Sequence, residues 1–366
     1  MKLAILTRSV SPFPCGIGDH TVNLARALRE KAVKVEVIAG RGEPNDTTTI
    51  VPDRWDKARL AFLLEELEKT DVDHVVMQFT PLLFDNGQTD REALSNFWTQ
   101  CSRKWKTSLL VHETYFRIWW HPRSWIKGSL EKALLRKMVE QAHFVFTASQ
   151  PLLEEIRHWG SKTSRKSQLP IGSNFPFVEV QRAKARSQLT ISSDEVVLVL
   201  FGGGNSLKWM TPHVHATDAL LHAEGVKASW LLLGGIPDSW FRFKLPVVCP
   251  GRLSAEELSL RLQASDVFLM PHYAGLCAKR GTLMAAMQHG LPVIGTETPM
   301  TDAIWKTLHG VILHPRRDSS GFSQSALDLS RDEKHRLSMG HTNQDFFNRF
   351  FTWPVIADVF LTEVLH

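Results

Sequence analysis

Between Ala264 and Thr296 the chain sets two cations, a glycine and a hydroxyl side by side, Lys279-Arg280-Gly281-Thr282, at a point where a helix should begin. Free N–H groups at a helix start, an adjacent guanidinium and a glycine that leaves the backbone bare together suit a phosphate or diphosphate. The apolar run Asp266 to Met270 ends at Pro271, and Gly290-Leu-Pro opens a second run to Gly295. That spacing predicts strand, loop, helix and parallel strand in succession. An ordinary strand-helix-strand unit has the same spacing, so the cations carry the functional signal.

Three other loops offer chemistry. Leu200-Phe-Gly-Gly-Gly-Asn205 follows an apolar run and leads to Lys208. Gly203 and Gly204 strip side chains from a stretch of backbone, and the lysine can neutralise a phosphate placed over it; a flexible turn with a solvated lysine is the alternative. Near the start, Cys15-Gly16-Ile17-Gly18-Asp19-His20 turns from a strand into a helix whose positive end begins at about Asp19. Gly16 and Gly18 would let a ligand approach the backbone, or would simply make the turn. Val111-His112-Glu113 ends a buried run with two polar groups that each need a partner there. His112 is either a contact for a transferred group or a hydrogen-bonded structural histidine, and Glu113 either orients it or is solvated. Gln78, at the end of another run, reads as structural.

The elements that must position these loops follow an alternating pattern. Strands are expected at Lys2 to Thr7, Lys34 to Ala39, His74 to Phe79, Ser108 to His112 and Phe144 to Ala148, with helices such as Gly18 to Lys31, Lys57 to Lys69 and Ser129 to Gln141 between them. Val196 to Gly202, Ser229 to Gly234, Val247 to Pro250, Asp266 to Met270, Pro292 to Gly295 and Val311 to His314 repeat the pattern. The fold class is therefore α/β, two doubly wound parallel-sheet domains whose ligands bind at the carboxyl ends of strands, in a cleft where the two face each other. The turn-rich stretch Leu169 to Pro176, with the polar run Gln181 to Gln188 after it, marks the hinge. This predicts domains at 1–175 and 176–345 and a closing helical segment, 346–366, broken at Trp353-Pro354.

Composition bounds the rest. A chain of 366 residues that is 43% hydrophobic suits two cores, and a net charge of +5 is too mild to indicate nucleic acid. Cys15, Cys101, Cys249 and Cys277 lack disulfide-framework or zinc spacing, so a reducing cytoplasm is expected, and no metal site. No apolar run approaches the ~20 residues that span a bilayer. Residues 117–137 nevertheless carry six Lys/Arg against one Glu, with three tryptophans interleaved. Such a run suits the headgroup layer of an anionic membrane, hence a peripheral place at its inner face, or is a solvated basic helix face.

The segment Ala286-Met287-Gln288-His289-Gly290-Leu291-Pro292-Val293 resembles the signature of family 4 (group 1) glycosyltransferases of the GT-B fold, Glu-x7-Glu followed by Ala-Met-x-x-Gly-x-Pro-Val. The two glutamates fall on Cys277 and Ala285, so this chain resembles a divergent member without those carboxylates. Gly16-Ile17-Gly18 followed by Asn23-Leu24-Ala25 also resembles the family's opening, and Phe351-Thr352-Trp353 the start of its returning helix. The resemblance implies transfer of a hexose from a nucleoside-diphosphate sugar, with retention and without metal, to a glycan, lipid-linked or small-molecule acceptor, as in polysaccharide biosynthesis. No cofactor beyond that donor substrate is implied. It places the donor on Gly16, Gly18 and Lys208, with a family arginine falling on Gly203 or Gly204 and Arg252 near the nucleotide base unless it merely makes a turn; the residues' own chemistry adds Lys279, Arg280, Gly281 and Thr282, with Arg280 supplying the lost arginine's charge. His112, Glu113, Asp19 and His20 are the candidates for contact with the reacting sugar and acceptor. The alternative from another class is a non-catalytic GT-B protein that binds a nucleotide or glycan; an epimerase of the same fold is a weaker third.

Overall fold

A computed structural model describes residues 1–13, 15–51, 55–81, 90–114, 122–160, 164–202 and 205–365, without the side chains of 122–124, 205, 206 and 238. The chain divides into two units, Met1–Ile171 with Trp353–His366, and Gly172–Thr352.

The first unit is built on seven parallel strands: β1 Lys2–Ser9, β2 Lys34–Arg41, β3 Thr48–Ile50, β4 His74–Phe79, β5 Lys106–Val111, β6 Phe144–Thr147 and β7 Arg165–Gln168. Their order is β3-β2-β1-β4-β5-β6-β7. Alternate residues of β1 serve opposite faces: Ala4 and Leu6 join one core cluster with Leu63, Trp98 and Met138, while Leu3 and Ile5 join the other with Leu24, Leu28 and Phe360. Burial on both faces is why β1 and β4 read as unbroken apolar runs. The second cluster includes the closing helix Trp353–Leu365, whose Ile356, Phe360 and Val364 recur every fourth residue on its buried face. Each such side chain stabilises this return by about 1.5–3 kcal/mol. The helix starts at Trp353 because Glu333–Phe350 is a separate helix belonging to the second unit.

The second unit has six strands: β8 Val196–Phe201, β9 Ala228–Leu233, β10 Val247–Val248, β11 Val267–Met270, β12 Val293–Glu297 and β13 Val311–Pro315. Their order is β10-β9-β8-β11-β12-β13, again all parallel. Chain direction across the sheet reverses between β8 and β11, and between β1 and β4 in the first unit. Open α/β sheets bind ligands at such switch points, beyond the carboxyl ends of the strands.

The polar run expected in the hinge is a short helix, Arg182–Gln188, held firmly within the second unit. Arg182 and Arg186 pair with the buried Asp266 at 2.6 and 3.0 Å, and Asp266 also accepts the Val197 N–H at 2.8 Å. The division between units falls earlier, at Ile171-Gly172, inside the turn-rich stretch.

Candidate functional site

On the second unit the predicted phosphate residues follow the two strands that flank the switch point. Lys208 ends a four-residue helix after β8; it is exposed, its Nζ is 6.0 Å from the centre of the Trp240 ring, and it pairs with no carboxylate among the described residues. Gly203 and Gly204 lie outside the described residues. After β11 the chain runs through His272 and Cys277 to Arg280, the N-cap residue of the helix Gly281–Gln288. Gly281 and Thr282 form its first turn, half-buried, and Lys279 is half-buried just before it. A Cβ at Gly281 would meet nothing closer than the Asn174 amide, at 3.7 Å, so packing does not demand a glycine there.

Arg280 is held in an unusual way. Its guanidinium donates to His272 Nδ1 at 2.9 Å, and the Ala274 N–H donates to the same nitrogen at 3.0 Å. A nitrogen that accepts twice carries no proton, so His272 is the Nε2–H tautomer. Burial first, then the nearby Arg280 and Lys279 charges, push its pKa down to about 2. A neutral histidine therefore positions the guanidinium without cancelling its charge. The Arg280 Nε is buried with no hydrogen-bond acceptor, and no carboxylate among the described residues pairs with the side chain. A cation arranged this way at a helix start is ready for an anionic ligand.

The positions of the two missing glutamates are packed rather than open. Cys277 is 1% exposed and Ala285 0%. The neighbouring Ala278 N–H donates to the buried Asp302 carboxylate at 2.7 Å, which fixes the loop between β11 and its helix. Arg252 lies exposed on the loop after β10, on the other side of β9 and β8 from these residues.

On the first unit the switch point gathers a polar chain. His112 Nε2 lies 2.6 Å from Gln78 Oε1, and Gln78 Nε2 lies 3.4 Å from His20 Nδ1. The His20 ring meets those of His112 and Trp353 edge-on, with centroids 5.0 and 5.2 Å apart. His20 is 3% exposed, and burial, followed by the His112 charge, holds its pKa well below the usual histidine value. Its ring is thus closed off from solvent, with Gln78, His112 and Trp353 as neighbours. Sequence reasoning left Gln78 as structural; here it joins the two histidines. Glu113 is exposed on the following loop. Asp19 lies at the surface in the first turn of the helix Gly16–Glu30, where the surrounding protein desolvates its carboxyl and raises its pKa.

Of the two early glycines, Gly16 is exposed, and Gly18 serves packing: a Cβ there would lie 2.1 Å from the Ser9 carbonyl oxygen. Cys15 caps that helix, its Sγ accepting the Gly18 N–H at 3.4 Å. Asp71-Val72-Asp73, an acidic pair of a spacing that can hold metals, precedes β4 at the amino end of the sheet, and Asp73 accepts the Lys2 N–H at 2.8 Å. No group of three or more candidate metal ligands occurs among the described residues. His272, Trp209 and Tyr273 had no signal in the sequence beyond lying next to strand ends and cations.

Residues 195–332 match the family model described as glycosyl transferases group 1. Among curated proteins no match was found. Solved structures similar to the chain include sucrose-phosphate synthase from Thermosynechococcus elongatus, at 16% identity and a TM-score of 0.71, covering 100% of this chain and 98% of that one. HepE of Anabaena, in complex with UDP and glucose, is 12% identical with a TM-score of 0.70, covering 100% and 99%. A UDP-N-acetylglucosamine 2-epimerase from Listeria monocytogenes, described as putative in that work, is 11% identical with a TM-score of 0.61, covering 99% and 95%. The chain has the GT-B fold, with two parallel-sheet α/β domains.

Proposed function

Taking residues 195–332 as a domain of the group 1 glycosyltransferase family, we propose that the protein transfers a hexose from a nucleoside-diphosphate sugar to a glycan, lipid-linked or small-molecule acceptor. The observation that carries this reading is Arg280: a half-buried guanidinium at a helix N-terminus, positioned by a neutral His272 and lacking a carboxylate among the described residues. The similarity to HepE, solved with UDP and glucose, supports a sugar nucleotide as the ligand.

The chemistry follows from the leaving group. Breaking the anomeric C–O bond leaves negative charge on the β-phosphate, and charge stabilisation there is the main catalytic demand. Lys208, Arg280 and the first-turn N–H groups of Gly281 and Thr282 meet it with protein donors in place of a metal ion. Lys279 adds positive potential, and Arg252 lies toward the base. Retention at the anomeric carbon fits a front-face departure in which the leaving phosphate helps to deprotonate the acceptor. On the first unit, His112 and Glu113 are the groups proposed to meet sugar or acceptor, and Asp19 lies in the adjacent helix turn.

The test is nucleotide release from UDP-, GDP- and ADP-sugars in the presence of glycan and lipid acceptors. Transfer is expected with one nucleotide class, and binding without release under all conditions would favour the non-catalytic reading. That second reading rests on Cys277 and Ala285, which are buried where the family signature has carboxylates.

We further propose that the helix Pro122–Gln141 rests on an anionic membrane at the cytoplasmic face. It buries Leu134, Leu135, Met138 and Val139 but exposes Trp125 (64%), Ile126 and Leu130 beside Lys132, Arg136 and Lys137. Apolar anchors among cations match an interfacial helix. Residues 117–121 of this basic run lie outside the described residues. Among the described residues no helix is long and apolar enough to cross a membrane. Flotation with anionic vesicles but not neutral ones is the expected result; equal behaviour with both excludes this docking.

A further inference from the structure

Three side chains from the loops after β8, β11 and β13 meet in the second unit. The Trp209 and Tyr273 rings pack edge to face, with centroids 5.1 Å apart and planes at 69°. The Arg316 guanidinium stands over the Tyr273 ring, Cζ 4.3 Å from its centre. Despite these contacts Trp209 is 52% exposed and Tyr273 39%. Two large rings held in fixed relation yet open to solvent leave apolar area unburied. A ring-shaped ligand would cover that area, and the sheet order says which part of a sugar nucleotide it would be.

Trp209 directly follows Lys208, and Tyr273 directly follows His272, which positions Arg280. In the chain, the aromatic pair therefore neighbours Lys208 and the histidine that holds Arg280. Across the sheet, β10 with its Arg252 loop lies on one side of the β8/β11 switch point, and β13 with its Arg316 loop on the other. A sugar nucleotide is linear: base and ribose, diphosphate, sugar. With the base toward Arg252 and the diphosphate at Lys208 and Arg280, the sugar extends toward β13. The acceptor carboxylates that the family signature would offer its hydroxyls are absent at Cys277 and Ala285, so another surface must select the ring.

We propose that Trp209, Tyr273 and Arg316 form the subsite for the transferred sugar, a pyranose lying with its C–H face on the aromatic rings while Arg316 donates to its oxygens. This rests on the glycosyltransferase reading, because it takes the diphosphate position from it. Calorimetric titration of the full chain with UDP, GDP and ADP, and with UDP-glucose, GDP-mannose and ADP-glucose, first identifies the nucleotide that binds. Trp209→Ala should then weaken the matching nucleotide sugar about tenfold and leave the bare nucleoside diphosphate within about twofold. Trp209→Phe, which keeps a ring, should retain most of the affinity, and Lys208→Ala should weaken both ligands. Trp209 is exposed, so its replacement leaves the fold intact. Equal loss on diphosphate and sugar nucleotide in Trp209→Ala would assign the rings to the base and overturn the sugar subsite. No loss on either ligand removes the rings from the site while the nucleotide reading stands. If the wild type binds none of the six, both readings fall together.

Discussion

His112 Nε2 and Gln78 Oε1 are 2.6 Å apart at the neighbouring strand ends of β5 and β4. An amide oxygen only accepts, so His112 carries its proton on Nε2, and the Gln78 amide is left with N–H donors that face His20 Nδ1 at 3.4 Å. A fully buried glutamine thus fixes the ring of a half-buried histidine at the switch point. Trp353 closes the far end against His20, so the returning helix bears on the same group.

Gln78 is therefore a positioning residue for His112. Gln78→Leu removes the acceptor and leaves His20 without its amide partner, and kcat should fall about tenfold to a hundredfold with the donor KM little changed. Gln78→Glu places a carboxylate beside the ring and should raise the His112 pKa, read from its NMR titration. A merely structural glutamine would change the melting temperature and leave both the titration and the kcat of the folded fraction unmoved.

Arg280→Ala should raise the donor KM at least about tenfold, since a charge-assisted contact to a phosphate contributes about 1.5–3 kcal/mol, and leave the far-ultraviolet circular dichroism intact. Arg280→Lys keeps the charge but loses the fork that spans His272 and ligand, and should recover only part of the loss. An unchanged KM in Arg280→Ala takes this residue out of the donor site.

Two glycines separate packing from binding. Gly18→Ala drives a Cβ into the Ser9 carbonyl and should cost about 1–3 kcal/mol of stability or more. Gly281→Ala has room, 3.7 Å from Asn174, and alanine is the better helix former, so the melting temperature should hold or rise. Its methyl would crowd a phosphate seated on the helix start, and the donor KM should rise. Thermal unfolding together with donor KM for both variants checks the contrast.

What the sequence showed, and what it hid, divides along physical lines. β1, β4, β8 and β11 are buried on both faces and so appear as apolar runs. β3, only three residues long, and β7, Arg-Lys-Ser-Gln, are sheet edges too short or too polar to show as apolar runs, and neither was expected. The strand-end loops drew attention to Lys208 and to Lys279-Arg280-Gly281-Thr282 because cation, glycine and helix start lie close together in the chain. The His20, Gln78 and His112 chain joins residues 58 and 34 positions apart, which periodicity does not reveal. His272 was equally hidden, since nothing in Pro-His-Tyr distinguishes a guanidinium support from a loop residue.

Buried histidines set an acid limit on stability. Desolvation, with nearby charges, lowers His74 to about 3 and His272 to about 2, and desolvation lowers His289 to about 4. The unfolded chain protonates each near pH 6.5, so between that pH and about 4 it binds more protons than the folded one. Stability is then fully present above pH 6.5 and falls with acidification, by about 1.4 kcal/mol per pH unit for each such histidine. His272→Asn keeps an acceptor for Arg280 but cannot titrate, and should flatten the decline of melting temperature between pH 6.5 and 4.5. A decline as steep as in the wild type would mean that His272 is protonated in the folded protein.

The missing signature carboxylates make the sharpest case. Were they simply lost from an open site, putting one back would restore a contact. Ala285 is 0% exposed and lies in the helix Gly281–Gln288 between Met284 and Ala286, both also fully buried. A glutamate there must either bury an uncompensated charge or become protonated, and it also overfills the core. Ala285→Glu should cost about 3–5 kcal/mol and lower the melting temperature by about 10 °C, without gain in nucleotide-sugar turnover. Higher turnover at an unchanged melting temperature would show that the helix turns its carboxylate position toward ligand, and the sugar would then be held as in the family signature instead of by aromatic rings.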